Sequence, residues 1–343
     1  MSIGWAMVGL GRHTKGYIAP AINQSRNSRL VAVMSRDADR AGTFAKDHGA
    51  EAGYTSLDAL LDHPGVDALF IASPNAVHAE QTVQAARAGK HVLCEKPMAL
   101  TVQDCRTMIE ECRRNNVRLG VGFHLRHHPG LAEAKRLIAE GSIGRPVELV
   151  GQWYNGQRGI ERVAKREGLM AWWSEPDMVG GGAIMATGTH ILDQVRFLTG
   201  QEVVEVTAMA DYRGEDLDQA IHVLMRLGDG TMASVMAARL VAASDSRNDI
   251  VVYGSKGRVA ANGVLATSLT GSLDVLTESQ TYSRDYTEGD VYQSLIEGFC
   301  DSVEKGEDPD PSGVDGLRVV ELTLAALQAA KEGRTVRLEL ANV

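Results

Sequence analysis

Five short apolar runs, residues 3–8, 30–34, 68–72, 91–94 and 118–122, recur through the first 124 residues, separated by stretches of helical periodicity such as 76–87 and 102–114. This alternation leaves the chain little choice of fold. Parallel strands cannot be joined by a tight turn, so each pair needs a crossover, and the crossover helices bury the sheet on both faces. "DALFIAS" at 67–73 is accordingly apolar almost throughout instead of alternating. The pattern predicts an α/β chain that opens with a doubly wound, Rossmann-type domain and its parallel sheet over residues 1–124.

The remainder, residues 125–343, reads differently. "QAIHVLMRLGDGTMASVMAARL" at 219–240 sets two strand-like runs around Gly228-Asp229-Gly230, a hairpin signal because glycine supplies the positive φ such turns need. Further strands are expected at 147–153, 203–210 and 250–252, giving a C-terminal α/β domain with a large, mostly antiparallel sheet. Helical periodicity returns at 292–304 and 316–331, with Pro309 and Pro311 between them. The final helix is free to pack back on the first domain.

Charge and cysteine usage narrow the function. A net charge of −9 disfavours nucleic acid as a partner, since phosphate neutralisation needs a basic face. Cys94, Cys105, Cys112 and Cys300 show no metal-binding spacing, and so few in this length suggests reduced thiols. Cys105 and Cys112 are seven apart and read as core residues of one helix face. There is no leader-like start and no long apolar run, so a cytoplasmic protein without membrane attachment is expected.

Chemistry concentrates at the ends of the predicted strands. Gly9-Leu10-Gly11 follows the first strand directly, and Arg12, His13 and Thr14 come next. In a dinucleotide fingerprint the first glycine permits the turn, the second admits the pyrophosphate and the third lets the helix pack closely. Thr14 occupies the third position here. The second strand ends in Ser35-Arg36-Asp37. A hydroxyl and a guanidinium suit the 2′-phosphate of NADP, whereas Asp37 would serve the ribose of NAD; the first reading is preferred. Ser73, Asn75 and His78 in "SPNAVH", and Glu95-Lys96-Pro97, lie at the carboxyl edge of the sheet, where doubly wound folds bind ligands. Together with the fingerprint turn they form the candidate cofactor set. His124, His127 and His128 lack an acidic or cysteine partner at a recognised metal spacing and read as surface or hinge histidines.

"HVLCEKPMAL" (91–100), "IASPNAVHAEQTVQAARAGK" (71–90) and "GGGAIMATGTHILDQVRFLTG" (180–200) resemble the Gfo/Idh/MocA superfamily of glucose-fructose oxidoreductases and inositol 2-dehydrogenases. The likeness extends to "YQSLIEGFCDSVEKGEDPDPSGVDGLRVVELTLAALQAA" at 292–330 and so covers essentially the whole chain. "GKHVLCEKP" and "HLR" at 124–126 are similar in particular to bacterial 1,5-anhydro-D-fructose reductases. The resemblance implies NAD(P)-dependent hydride transfer between nicotinamide C4 and a sugar, ketosugar or sugar derivative. It also implies that Lys96 and His190 act at the reacting oxygen.

One departure stands out. The family's aspartate four residues before the histidine is Ala186 here, and Asp193, at i+3 from His190, is the nearest remaining acid. A helix start at Gly188 would bias His190 toward neutral imidazole. Two other functions therefore stay open: a non-catalytic NADP(H)-binding sensor, and an NAD-dependent glycosidase using transient oxidation. Tyr154, Trp172 and Trp173 are candidates to face a sugar, and the loop at 155–168 is expected to carry specificity. Exposed apolar residues on an open sheet face would make the protein a homodimer or homotetramer.

Overall fold

The computed structural model describes residues 2–161 and 163–339. The chain divides into two compact units, Met1–His124 with Asp290–Val320, and Leu125–Gly289 with Glu321–Val343. Residues 290–320, which the sequence placed after the second sheet, thus count with the first unit.

The first unit is built on six parallel strands: β1 (Ile3–Val8), β2 (Ser28–Met34), β3 (Ala52–Tyr54), β4 (Ala68–Ile71), β5 (His91–Cys94) and β6 (Leu119–Val121). Their order is β3-β2-β1-β4-β5-β6. The chain therefore winds outward from β1 in one direction and from β4 in the other. Loops after β1 and β4 diverge at this switch point, which opens a crevice at the carboxyl edge. The five sequence-predicted strands are β1, β2, β4, β5 and β6, and the Glu95-Lys96-Pro97 motif follows β5. β3 escaped notice because "AGY" carries no apolar run. Its Gly53 is needed for packing: a Cβ there would stand 2.7 Å from the Ala41 backbone of the helix Ala38–His48.

Burial of Trp5, Met7, Phe70, Leu69 and Ile71 on adjacent strands makes the core of this unit. The helix Val291–Lys305 closes one side, with Phe299 at 5.3 Å from the Trp5 ring. Asn27 donates to Asp301 at 2.7 Å to fix the same helix.

The second unit holds β7 (Pro146–Gly156), β8 (Val203–Asp211), β9 (Ala220–Leu227), β10 (Met232–Ala242), β11 (Ile250–Gly254), β12 (Gly257–Asn262), β13 (Ser272–Thr277), β14 (Thr281–Asp285) and β15 (Val336–Arg337). The order is β14-β13-β12-β11-β7-β10-β9-β8-β15. Every pair is antiparallel except β7 with β10. β9 alternates as a one-sided sheet requires, burying Ile221, Val223, Met225 and Leu227 while exposing His222, Leu224 and Arg226. The helix Thr189–Thr199 covers the buried side, and Gly151 lets it approach β7, since a Cβ would lie 2.5 Å from Ile191 Cγ2. Among the described residues no helix is long and apolar enough to cross a membrane.

Candidate active site

The turn after β1 has the shape that dinucleotide binding demands. Gly9 has φ +93, and a Cβ there would stand 2.4 Å from the Ala72 carbonyl oxygen, so no other residue fits. Around Gly11 a Cβ would meet nothing within 4 Å, leaving the backbone open to a close-approaching phosphate. Thr14 in the third position folds inward. Its buried hydroxyl lies 2.9 Å from the Gly9 carbonyl and 3.0 Å from that of Gly11, pinning the turn to the wide π-turn Thr14–Ile18. Arg12 is exposed beside it. The donor set therefore fits a dinucleotide, although Thr14 supports the turn through its side chain.

At the end of β2 two neighbours have different employment. Asp37 caps the helix Ala38–His48, accepting from Arg40 N at 2.9 Å, and Ser35 Oγ accepts from Asp37 N at 3.2 Å. Arg36 is exposed and has no ion-pair partner among the described residues.

His78 is buried. Its Nε2 lies 2.9 Å from the Ser73 carbonyl and its Nδ1 3.0 Å from that of Pro97, so the ring straps the loop after β4 to the loop after β5. Burial keeps its pKa low. Ser73 Oγ donates to Gln81 at 2.6 Å, and Asn75 is buried in the turn Asn75–Val77.

Glu95 and Lys96 follow β5, and the Lys96–Pro97 peptide is cis. One Glu95 oxygen lies 3.0 Å from His13 Nε2, and the other accepts from the Lys96 backbone N–H at 3.1 Å. Gly122 makes room, for a Cβ there would come 3.0 Å from the carboxylate. Burial pushes the Glu95 carboxyl up, yet His13 and Lys96 together hold it below its ordinary value. Burial lowers the Lys96 ammonium, and Glu95 offsets only part of this. The Tyr292 ring stacks on His124 at 4.5 Å and meets His13 edge-on at 5.2 Å. Sequence reasoning missed Tyr292 and the inward role of His124. They come from segments far apart in the chain, and no spacing rule joins them.

In the second unit the helix bearing His190 does not begin at Gly188. The π-turn Ile184–Gly188 runs straight into Thr189–Thr199, and Gly188 is helical at φ −57. The positive end of this helix lies at Ala183, beyond the single turn over which a helix dipole acts, so it does not set the state of His190. His190 is buried with its ring 5.2 Å from that of Trp153.

The glycine triplet at 180–182 serves an acid that no motif or spacing singles out. Asp218, in the connection between β8 and β9, accepts from Gly182 N at 2.6 Å and Ile184 N at 2.9 Å, while its own carbonyl accepts from Ala183 N at 2.8 Å. A Cβ on Gly182 would lie 1.9 Å from the Asp218 carbonyl oxygen. Asp218 thus anchors the head of the His190 helix. Burial pushes its carboxyl up, and the Ile184 and Gly182 N–H groups work against that rise.

Asp193 is fully buried and carries Arg126 on it, with Nη2 2.6 Å from Oδ1 and Nε 3.0 Å from Oδ2. Ala186 sits within the π-turn. His124 and His128 are buried, contrary to a surface reading: one stacks on Tyr292, while the other caps the helix Pro129–Ala139 and lies 3.0 Å from the Thr270 carbonyl. Among the described residues no cluster of His, Cys, Asp or Glu could hold a metal. Trp172 and Trp173 stack on each other at 4.5 Å, with Arg166 over Trp173 at 5.0 Å. The loop at 155–168 includes residue 162, which lies outside the described residues.

Residues 3–123 match the family model described as the Gfo/Idh/MocA oxidoreductase family, NAD-binding Rossmann fold, and residues 131–260 match the GFO/IDH/MocA C-terminal domain. A 1,5-anhydro-D-fructose reductase of Ensifer adhaerens is 28% identical, with 98% of each chain covered. A myo-inositol 2-dehydrogenase of Thermotoga maritima is 30% identical over 99% of each. The structure of an aldose-aldose oxidoreductase from Caulobacter crescentus complexed with glycerol superposes with a TM-score of 0.89 at 28% identity, covering 98% of this chain and 100% of that one.

Proposed function

Because the chain belongs to the Gfo/Idh/MocA oxidoreductase family, we propose that it is an NADP-preferring oxidoreductase of sugars, ketosugars or sugar derivatives. Cofactor binding is assigned to the first unit, and substrate binding with oligomerisation to the second. The observation that carries the reading is Lys96 beside Glu95 at the carboxyl edge of the sheet, its ammonium lowered by burial. The bound nicotinamide supplies hydride chemistry at its C4. Lys96 gives a proton to the carbonyl oxygen in reduction and takes one from the hydroxyl in oxidation; an ordinary lysine would hold its proton too firmly at neutral pH to work both ways. His190 holds the reacting oxygen. Gly9, Gly11, Arg12, His13 and Thr14 seat the pyrophosphate, and Ser35 and Arg36 take the 2′-phosphate.

Asp193, occupied by Arg126, is a positioning residue for the His190 helix. The open face of the second sheet, where Met209 is 81% and Leu224 50% exposed, supports a homodimer or homotetramer built on a second copy of this chain. A cytoplasmic setting is part of the same reading.

The test is absorbance at the reduced nicotinamide band with NADPH or NADH against a panel containing 1,5-anhydro-D-fructose and other ketosugars, and with NADP or NAD against myo-inositol and aldoses. Turnover of at least one member supports the reading. Tight NADP(H) binding with no turnover of any would favour the sensor that Ala186 suggests.

A further inference from the structure

A lysine that gives up a proton in each turnover must recover one before the next. Lys96 is half-buried, and the Glu95 carboxylate, only 13% exposed along its side chain, accepts from the Lys96 backbone N–H at 3.1 Å. His13 meets that carboxylate at 3.0 Å and is 36% exposed along its side chain, so it reaches solvent. Asp193, Asp218 and Asp249, buried in the second unit, have other work, the first with Arg126 and the other two with backbone N–H groups.

The surroundings of the pair favour one path. Besides Lys96, the groups facing His13 and Glu95 are His124, Tyr17 and Tyr292. Burial pushes the Tyr292 hydroxyl far above its ordinary value, so this phenol exchanges no protons near neutrality, and its ring screens His124 by stacking on it. Gly122 leaves the carboxylate its space. His13 thus joins solvent to the Glu95 carboxylate, which sits next to Lys96 in the chain and whose charge acts on the Lys96 ammonium.

Resting on the Lys96 reading above, we propose that His13 and Glu95 are the proton relay between Lys96 and solvent. In the reducing direction Lys96 loses an N–H proton to the substrate oxygen and becomes a neutral amine. Glu95 takes the Nε2 proton of the His13 imidazolium and passes one to that amine, restoring its own carboxylate. Neutral His13 then recovers a proton from water. One proton has moved from solvent to product, with no change of oxidation state in the protein; oxidation runs the same steps in reverse.

The experiment compares His13→Ala and Glu95→Gln with wild type, using 1,5-anhydro-D-fructose or whichever member of the panel turns over fastest. At saturating cofactor, because His13 also belongs to the pyrophosphate turn, His13→Ala is expected to lower kcat roughly 10- to 100-fold, at the low end for lost proton transfer. Added imidazole should restore its rate in proportion to concentration, and should not rescue Glu95→Gln. Wild-type turnover in His13→Ala, or a loss that imidazole leaves untouched, overturns the relay. Lys96→Ala in parallel separates the two ideas: an inactive Lys96→Ala beside a fully active His13→Ala overturns the relay alone, whereas an active Lys96→Ala overturns the lysine reading and the relay with it.

Discussion

Arg126 and Asp193 form a buried ion pair, Nη2 to Oδ1 at 2.6 Å, inside the second unit. An acid so engaged is placed to orient the helix of His190, three residues before it. Asp193→Asn is predicted to cost about 3–5 kcal/mol of stability, because it leaves the Arg126 guanidinium buried without its counter-charge. The same change should lower kcat less than His190→Ala, expected to cost roughly 100-fold. Denaturant unfolding and steady-state kinetics on both variants check this. Wild-type stability with abolished turnover in Asp193→Asn would instead give that acid a direct chemical role. Wild type is also expected to be active without Ala186→Asp.

Asp218 is predicted to matter to the same helix from its other end. Asp218→Ala leaves the N–H groups of Gly182 and Ile184 without their acceptor, a loss of about 2–4 kcal/mol at the usual cost of stranded buried donors. Asp218→Asn keeps one acceptor oxygen and should lose less. Thermal unfolding ranks the variants, and kcat should fall while cofactor Kd, set by the first unit, stays near wild type. Equal stability of all three proteins would remove the anchor.

Arg36 decides the cofactor preference in this account. Arg36→Asp replaces a guanidinium that has no ion-pair partner among the described residues with a repelling charge, and should weaken NADP binding roughly 10- to 100-fold while changing NAD affinity much less. Titration of both cofactors into both proteins measures it. Equal loss for the two would return the site to a ribose acceptor such as Asp37.

Much of this architecture was legible because its signals are local. Apolar runs separated by helical periodicity predict β1, β2, β4, β5 and β6, and the Gly228-Asp229-Gly230 turn predicts the β9–β10 pairing. β3 stayed hidden because it is three residues long and centred on Gly53, whose packing against Ala41 exists only once the helix has folded. The strands β12 to β14 carry polar and small residues on one face and give no long apolar run. In the site, Gly9, Gly11 and Lys96 sit at positions any strand–turn reading reaches. Asp218 acts through backbone N–H groups 34 and 36 residues away, and a contact of that kind leaves no periodicity to find. The helix head was misplaced for a related reason: Gly188 is a helix breaker by propensity, but a π-turn carries the helix through it.

The most direct measurement is the pH dependence of kcat for wild type and Lys96→Ala in the reducing direction. Burial lowers the Lys96 pKa, and the protonated ammonium is the acid, so wild-type kcat should hold at low pH and decline as pH rises through that lowered pKa. Lys96→Ala should bind the cofactor within about threefold of wild type while kcat falls by roughly two to four orders of magnitude and the alkaline decline disappears. Wild-type turnover in Lys96→Ala, with the same alkaline limb, would contradict the account.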